Sequence, residues 1–201
     1  MTELRKRRIK TVLKYTWPFY IIAALVVFVV MVFIFRTAHP IPAYKALRVF
    51  VTGRVTNSNK LRDDMFNKFE EKKIRSFSCV SSLQNDVHYR TKLTTNGYQS
   101  SDVLILPTTV LEGINDLSTI AIPLSDALVN SYYQGYALYA QNETNFGIKV
   151  DKDKVSQYMT LPEEDCFMIL NGRSKNLGDY TLIKPVTEHD MALQVAKDWG
   201  M

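Results

Sequence analysis

The sequence predicts an α/β protein, in which an N-terminal transmembrane helix precedes one three-layer domain with a mostly parallel sheet. Residues 17–35 (WPFYIIAALVVFVVMVFIF) contain no charged side chain. Short runs of β-branched, aromatic and other apolar residues follow at 47–52 and 102–106, and an amphipathic pattern with helical spacing lies between them. Strands that alternate with helices are typical of a parallel sheet that is covered on both faces.

The uncharged run at 17–35 is long enough to cross a membrane as a helix. At about 1.5 Å per residue it spans about 28 Å, close to the ~30 Å hydrocarbon core of a bilayer. Trp17 and Tyr20 are residue types of the membrane interface, and Arg36 ends the run. A buried core helix and a cleaved signal peptide are the alternatives, but the apolar region of a signal peptide is usually about 7 to 15 residues long. We therefore expect an uncleaved signal anchor.

The positive charge of the chain lies almost entirely before this run. The net charge is +5, and residues 1–16 contain six Lys or Arg side chains and one acidic side chain. The rest of the chain is therefore neutral. Basic residues beside a transmembrane helix mark its cytoplasmic side, and they attract anionic lipid headgroups. We expect a cell-membrane protein with a cytoplasmic tail at 1–16, the lipid bilayer as a partner, an extracytoplasmic domain and no nucleic-acid partner.

The remainder divides into a short spacer and one domain. Residues 36–46 contain two prolines and predict an extended spacer. Residues 47–201 have the length of one ordinary domain.

Within the domain, each predicted strand is a short apolar run that ends near a polar or turn residue. The predicted strands are 47–52, 74–81, 102–106 and 166–170, with 136–139 and 146–150 paired across the turn QNETN. The predicted helices are one capped by Ser58 or Asn59, one at 85–96 that ends at Gly97, one at 110–115 and a closing helix from Thr187.

The two cysteines, Cys79 and Cys166, are far apart in the sequence. One disulfide between them is an alternative, but two buried free thiols are the interpretation that we favour. There is no CxxC motif and the three histidines are scattered, so neither a metal nor another cofactor is expected.

No catalytic motif is present. The chain lacks GxSxG, GxxxxGK[ST] and HExxH, and we expect no catalytic residues and no enzyme. The acidic residues at 163–165 are expected to be solvated rather than to hold a cation.

The candidate ligand-binding residues follow three predicted strands. In open α/β sheets, ligands bind beyond the carboxyl ends of the parallel strands. Small hydroxyl and amide side chains and bare glycine backbone suit a neutral polar ligand. The residues at these positions are Thr52, Gly53, Thr108, Thr109, Asn171 and Ser174. The alternative is that they are ordinary turn residues.

The order of these segments resembles the first lobe of the extracellular solute-binding proteins of ABC importers. The similar segments are LRVFVTG at 47–53, LTTNGYQSSDVLILPTTVLEG at 93–113 and LSTIAIPLSD at 117–126, with DCFMILNGRSKNLGDY and HDMALQVAKDWG where the chain would return to that lobe. The resemblance implies a periplasmic-binding-protein-like fold, a small polar ligand and a membrane transporter as partner. Such proteins usually have two lobes, whereas this chain has residues for one.

We therefore expect a single-pass, membrane-anchored, extracytoplasmic recognition protein that is solute-binding-like and transport-associated. The alternative is a structural or assembly subunit of a membrane complex that binds no small molecule.

Overall fold

The computed structural model describes residues 3–38, 41–177 and 190–201. The chain forms two compact units, Met1–Pro40 and Ile41–Met201. Helix α1, Glu3–Ala38, makes up the first unit and contains Pro18 in its interior. Its segment Thr16–Phe35 has a mean hydropathy of 2.9 and is not buried inside the protein. By length and composition this helix can cross a membrane or act as a signal sequence. The helix also continues into the predicted tail and spacer.

The second unit is built on a six-stranded sheet and a small ribbon. The strands of the sheet are β1 (Ala46–Thr52), β3 (Ser76–Ser82), β4 (Val103–Pro107), β5 (Leu138–Gln141), β6 (Thr144–Lys149) and β8 (Cys166–Leu170). Their order is β3-β1-β4-β8-β6-β5. The ribbon pairs β2 (Arg54–Val55) with β7 (Met159–Thr160) in antiparallel orientation.

The helices of this unit are short. They are α2 (Ser58–Lys68), α3 (Tyr89–Lys92), α4 (Thr108–Glu112), α5 (Asp126–Tyr132), α6 (Lys152–Val155) and α7 (Met191–Trp199). A π-helical turn, Leu93–Tyr98, continues α3.

The sheet is mixed. Strand β1 is parallel to β3 and β4, whereas β8 is antiparallel to β4 and β6, and β5 is antiparallel to β6. Most of the strands therefore point one way, as predicted, but the last predicted strand, at 166–170, runs the other way. Helix α6 has four residues, so the connection from β6 to β8 contains no helix long enough for a crossover to the opposite edge. Strand β8 therefore starts at the edge where β6 ends.

Alternate residues of the strands belong to two separate hydrophobic clusters. Val49 of β1 packs in the cluster that contains α2 and α7. Phe50 packs in the other cluster, which contains Leu93 of the π-turn and Leu111 of α4. Successive side chains of a strand point to opposite faces, so the sheet is covered on both faces. All residues of β4 and β8 are buried, which explains their continuous apolar sequences.

Two helix ends differ from the prediction. Asn57, not Ser58 or Asn59, caps α2, because its side chain accepts a hydrogen bond from the N–H of Lys60 at 3.1 Å. Gly97 does not end a helix in a left-handed conformation. It lies in the π-turn, where an added Cβ would approach side-chain atoms of Leu93 and Leu104 to 3.1 and 3.3 Å. Close packing against β4 explains this glycine.

The predicted hairpin is present, and its turn has the conformation that two-residue hairpin loops favour. Asn142 and Glu143 both have positive φ angles, 50° and 64°, as a type I′ turn requires.

Helix α7 presents the predicted apolar stripe to the core. Met191, Val195 and Trp199 are buried. The predicted start at Thr187 lies outside the described residues. Lys72 of the segment after α2 forms an ion pair with Asp190, which joins the two helical segments.

Cys79 and Cys166 are free thiols. Strands β1 and β4 separate β3 from β8, so at ~4.8 Å per strand the two residues are at least about 14 Å apart, beyond the ~7 Å limit for the Cα atoms of a disulfide. Burial raises the pKa of Cys79 to about 12 and that of Cys166 to about 11. Neither thiol is therefore activated as a nucleophile.

Tyr133 provides a test of the packing of α7. Its side chain is fully buried and its hydroxyl donates to the carbonyl of Leu193 at 3.1 Å. Tyr133→Phe removes this buried hydrogen bond, so we expect a loss of about 1 kcal/mol and a lower Tm in thermal unfolding. Tyr136 donates to the Lys197 carbonyl at an exposed site, and Tyr136→Phe is the matched control. Equal losses in the two variants would contradict the buried role of Tyr133.

Candidate functional site

The carboxyl ends of β1, β3 and β4 meet at one edge of the sheet, which we call the carboxyl edge. Four of the predicted ligand-binding residues lie there. Thr52 ends β1 and Gly53 follows it, while Thr108 and Thr109 begin α4 directly after β4. The structure therefore places both of these predicted pairs at the same edge.

A cavity of about 710 Å³ opens at the carboxyl edge beside the β2–β7 ribbon, and we call it the ribbon cavity. It is lined by Thr52, Gly53, Arg54, Val55, Thr56, Leu83, Gln84, Asn85, Thr160, Leu161 and Pro162. Gly53 permits the ribbon to lie close to β1, because an added Cβ would be 2.6 Å from the carbonyl oxygen of Thr160. The glycine is therefore needed for the shape of this wall.

The hydroxyl of Thr52 is held inside the protein. Thr52 is fully buried, and its Oγ1 lies 2.8 Å from the phenol oxygen of Tyr89 in α3. Burial raises the pKa of Tyr89 above its ordinary value, so the phenol stays protonated and can donate to Thr52. Thr52 joins β1 to α3 beneath the cavity.

A chain of hydrogen bonds crosses the carboxyl edge, and we call it the polar bridge: Gln84, Thr109 and Glu164. The amide nitrogen of Gln84 donates to Thr109 Oγ1 at 3.0 Å. Thr109 donates from Oγ1 and from its backbone N–H to the two carboxylate oxygens of Glu164, at 2.8 and 3.0 Å. Thr108 makes two hydrogen bonds to the carbonyl of Asp165. Both threonines thus attach α4 to the segment before β8.

The acidic residues at 163–165 are more than solvated charges. Glu164 binds Thr109, and Asp165 forms an ion pair with Lys149 at 2.8 Å. Among the residues that the structure describes, no group of three or more His, Cys, Asp or Glu side chains is placed to hold a metal ion.

A second cavity, of about 560 Å³, lies on the other side of Gln84, and we call it the tyrosine cavity. Its lining is Gln84, Tyr89, Arg90, Leu93, Thr94, Tyr98, Thr109, Val110, Gly113 and Ile114. Burial raises the pKa of Tyr98 to about 12, so this phenol is also neutral. Because Gln84 lines both cavities, the polar bridge is the boundary between them.

Asn171 and Ser174 lie at the opposite edge of the sheet, because β8 is antiparallel to β4. Asn171 is fully buried, and its side-chain nitrogen donates to the carbonyls of Gly97 and Tyr98 at 3.4 and 3.0 Å. Ser174 donates to Asp102 at 2.5 Å. The structure therefore does not bring these two residues to the same site as Thr52 and Thr109.

Of the residues that line the ribbon cavity, only Thr52 and Gly53 were predicted, and the unpredicted ones include the polar residues Arg54, Gln84 and Asn85. Gln84 and Asn85 follow β3, so the same rule about carboxyl ends identifies them once it is applied to the second strand. Arg54 lies in the two-residue strand β2, and no sequence pattern distinguishes so short a strand from a loop.

Asp102 provides a test of the opposite edge. Its carboxylate accepts hydrogen bonds from the N–H of Arg48 and from Ser174, but burial has the larger effect and raises its pKa above the ordinary 3.8. The folded protein then keeps this proton to a higher pH than the unfolded chain. We expect the free energy of unfolding to fall as the pH rises from about 3.8 to the raised pKa.

Urea unfolding between pH 3 and 7 measures this effect. Asp102→Asn should remove the part of the pH dependence that Asp102 contributes, whereas Asp63→Asn, at an exposed position of α2, should keep it. A wild-type stability that rises with pH in a way that Asp102→Asn abolishes would contradict the direction of the shift.

No family model and no curated protein matches the chain. Among solved structures, it is similar to the maltose/maltodextrin-binding domain MalE from Bdellovibrio bacteriovorus bound to maltotriose, with 12% sequence identity and a TM-score of 0.35. The match covers 52% of this chain and 28% of that chain, so the chain spans little more than a quarter of that protein's length.

Proposed function

We propose that this chain is a single-pass, membrane-anchored, extracytoplasmic protein that recognises a small polar solute in the ribbon cavity. The observation that carries the proposal is the cavity itself. It has a volume of about 710 Å³ and lies beyond the carboxyl ends of the parallel strands, where open α/β sheets bind ligands. Pockets for small molecules have volumes of about 300–1,000 Å³.

The lining suits a polar solute. Gln84, Asn85 and Thr160 supply amide and hydroxyl groups, while Val55 and Leu161 supply apolar contacts. The hydroxyls of Thr52 and Thr109 take part in hydrogen bonds within the protein. We therefore assign recognition to the ribbon and to the loop after β3. The two threonines hold the neighbouring segments in place through their hydrogen bonds.

The proposed location rests on helix α1 and on the charge of the chain. The segment Thr16–Phe35 is apolar enough to anchor the protein in a bilayer. Six basic residues within 1–16 favour a cytoplasmic N-terminus and an outward-facing Ile41–Met201 unit. The resemblance of the sequence to solute-binding proteins suggests a membrane transporter as the partner. That the chain is not an enzyme stays a prediction.

One observation favours the alternative of an assembly subunit. The loop after β3 exposes two apolar side chains, Leu83 with 49% and Val87 with 92% of its surface accessible. Exposed apolar side chains on a loop can dock another protein. In that case the domain would bind a protein partner and no solute.

A ligand screen tests the proposal. The full chain in a neutral detergent is screened against sugars, peptides, amino acids and organic acids by thermal shift, and a binding solute should raise Tm in a saturable way. Asn85→Ala should weaken that shift by removing a lining amide, and Asn130→Ala, at an exposed position of α5 outside both cavities, should not. No shift with any solute, together with recovery of a stoichiometric protein partner, would favour the assembly role instead.

Cysteine labelling tests the orientation. Asn130→Cys places a thiol on the exposed surface of α5, and Thr11→Cys places one in the predicted tail. A membrane-impermeant maleimide should label the first variant in intact cells and the second only after lysis. The opposite pattern would reverse the proposed topology, and the chain without either substitution measures background labelling of the two native thiols.

A further inference from the structure

The charged side chains that line the two cavities of the carboxyl edge are both arginines. Arg54 lines the ribbon cavity and Arg90 lines the tyrosine cavity. Within the described residues, no acidic side chain lines either cavity. The sequence outside residues 1–16 is neutral overall, so the positive charge of these two linings does not follow from the composition of the domain.

Two acidic groups at the carboxyl edge, Asp86 and Glu164, are occupied by donors of the protein. Asp86, in the loop after β3, accepts hydrogen bonds from Lys92 at 2.6 Å, from Ser82 and from the N–H of His88. These donors lower the pKa of Asp86 to about 2, so it remains charged and paired with Lys92. The carboxylate of Glu164 is held by Thr109 in the polar bridge. Neither acid offsets the arginines within the cavities.

The lining also favours a solute with a carbon skeleton over an inorganic anion. Val55, Leu83, Leu161 and Pro162 supply apolar surface in the ribbon cavity. A volume of about 710 Å³ exceeds what a small inorganic ion fills. The guanidinium of an arginine binds a carboxylate through two parallel hydrogen bonds. A neutral amide lacks the negative charge that strengthens this pair.

We infer that the carboxyl edge takes a small organic acid, whose carboxylate binds Arg54 while its carbon skeleton lies against the apolar wall of the ribbon cavity. This inference rests on the proposed function and names the class of its ligand. Arg54 is exposed, so salt screens its charge, and the affinity for an acid falls as the ionic strength rises.

The test compares each acid with its own uncharged amide. Succinate and succinamide, and phenylacetate and phenylacetamide, are titrated by calorimetry into the full chain in neutral detergent at low salt. The acid of at least one pair should bind about tenfold more tightly than its amide or better, as expected for a charge-assisted pair of hydrogen bonds. Arg54→Gln should remove this preference. Arg62→Gln, at an exposed position of α2 that lines neither cavity, should retain it.

The outcomes separate this inference from the proposed function. Amides that bind as tightly as their acids, or binding in the wider screen by neutral or cationic solutes only, would overturn the organic-acid class and leave solute recognition intact. Failure of every solute would overturn both. An equal loss in Arg54→Gln and Arg62→Gln would show a general effect of charge and would also overturn the inference. Thermal unfolding of each variant checks that it is folded, and Arg54→Met, which also removes the charge at this position, provides a second variant if Arg54→Gln is not folded.

Discussion

The pairing of β4 with β8 is the contact on which the rest of the Ile41–Met201 unit depends. Five residue pairs, from Val103 opposite Leu170 to Pro107 opposite Cys166, join β4 to β8. They connect the parallel strands β3, β1 and β4 to the hairpin of β5 and β6 on the other side of β8. Both strands are buried along their whole length, so they belong to the two hydrophobic clusters at once. Without this pairing the sheet would separate into two three-stranded parts, and the buried backbone groups along β4 and β8 would lose their hydrogen-bond partners.

The direction of β8 also determines what lies at each edge of the sheet. Because β8 begins where β4 ends, Glu164 lies beside Thr109 and completes the polar bridge at the carboxyl edge. Because β8 ends where β4 begins, Asn171 lies beside Asp102, whose carbonyl accepts the N–H of Asn171 at 3.0 Å. One antiparallel strand thus supplies a bridge beside two cavities and a buried hydrogen-bonded cluster at the other edge.

The sequence predicts the strands well because a strand that is buried on both faces must be apolar at nearly every residue, as 103–106 and 166–170 are. It cannot predict the direction of β8, because an apolar run reads the same in a parallel and an antiparallel strand. That error assigned Asn171 and Ser174 to the wrong edge. The rule that identified Thr52 and Thr109 could also have identified Gln84. It could not identify Arg54, which lies in a ribbon of two-residue strands that no local sequence pattern indicates.

The hydrogen bonds at the carboxyl edge restrict which residues can distinguish ligands. Thr52 and Thr109, two hydroxyls near the strand ends, bind Tyr89 and Glu164. The proposed recognition therefore assigns contacts with a solute to the ribbon and to the loop after β3, which are the least buried parts of the wall. The ribbon has only two residue pairs and is supported by the N–H groups of Thr56 and Asn57, which donate to the carbonyl of Tyr158. The proposed recognition thus assigns selectivity to a short, solvent-facing element whose position depends on the close approach that Gly53 allows, and under this proposal a change in the ribbon would alter the ligand without disturbing the sheet.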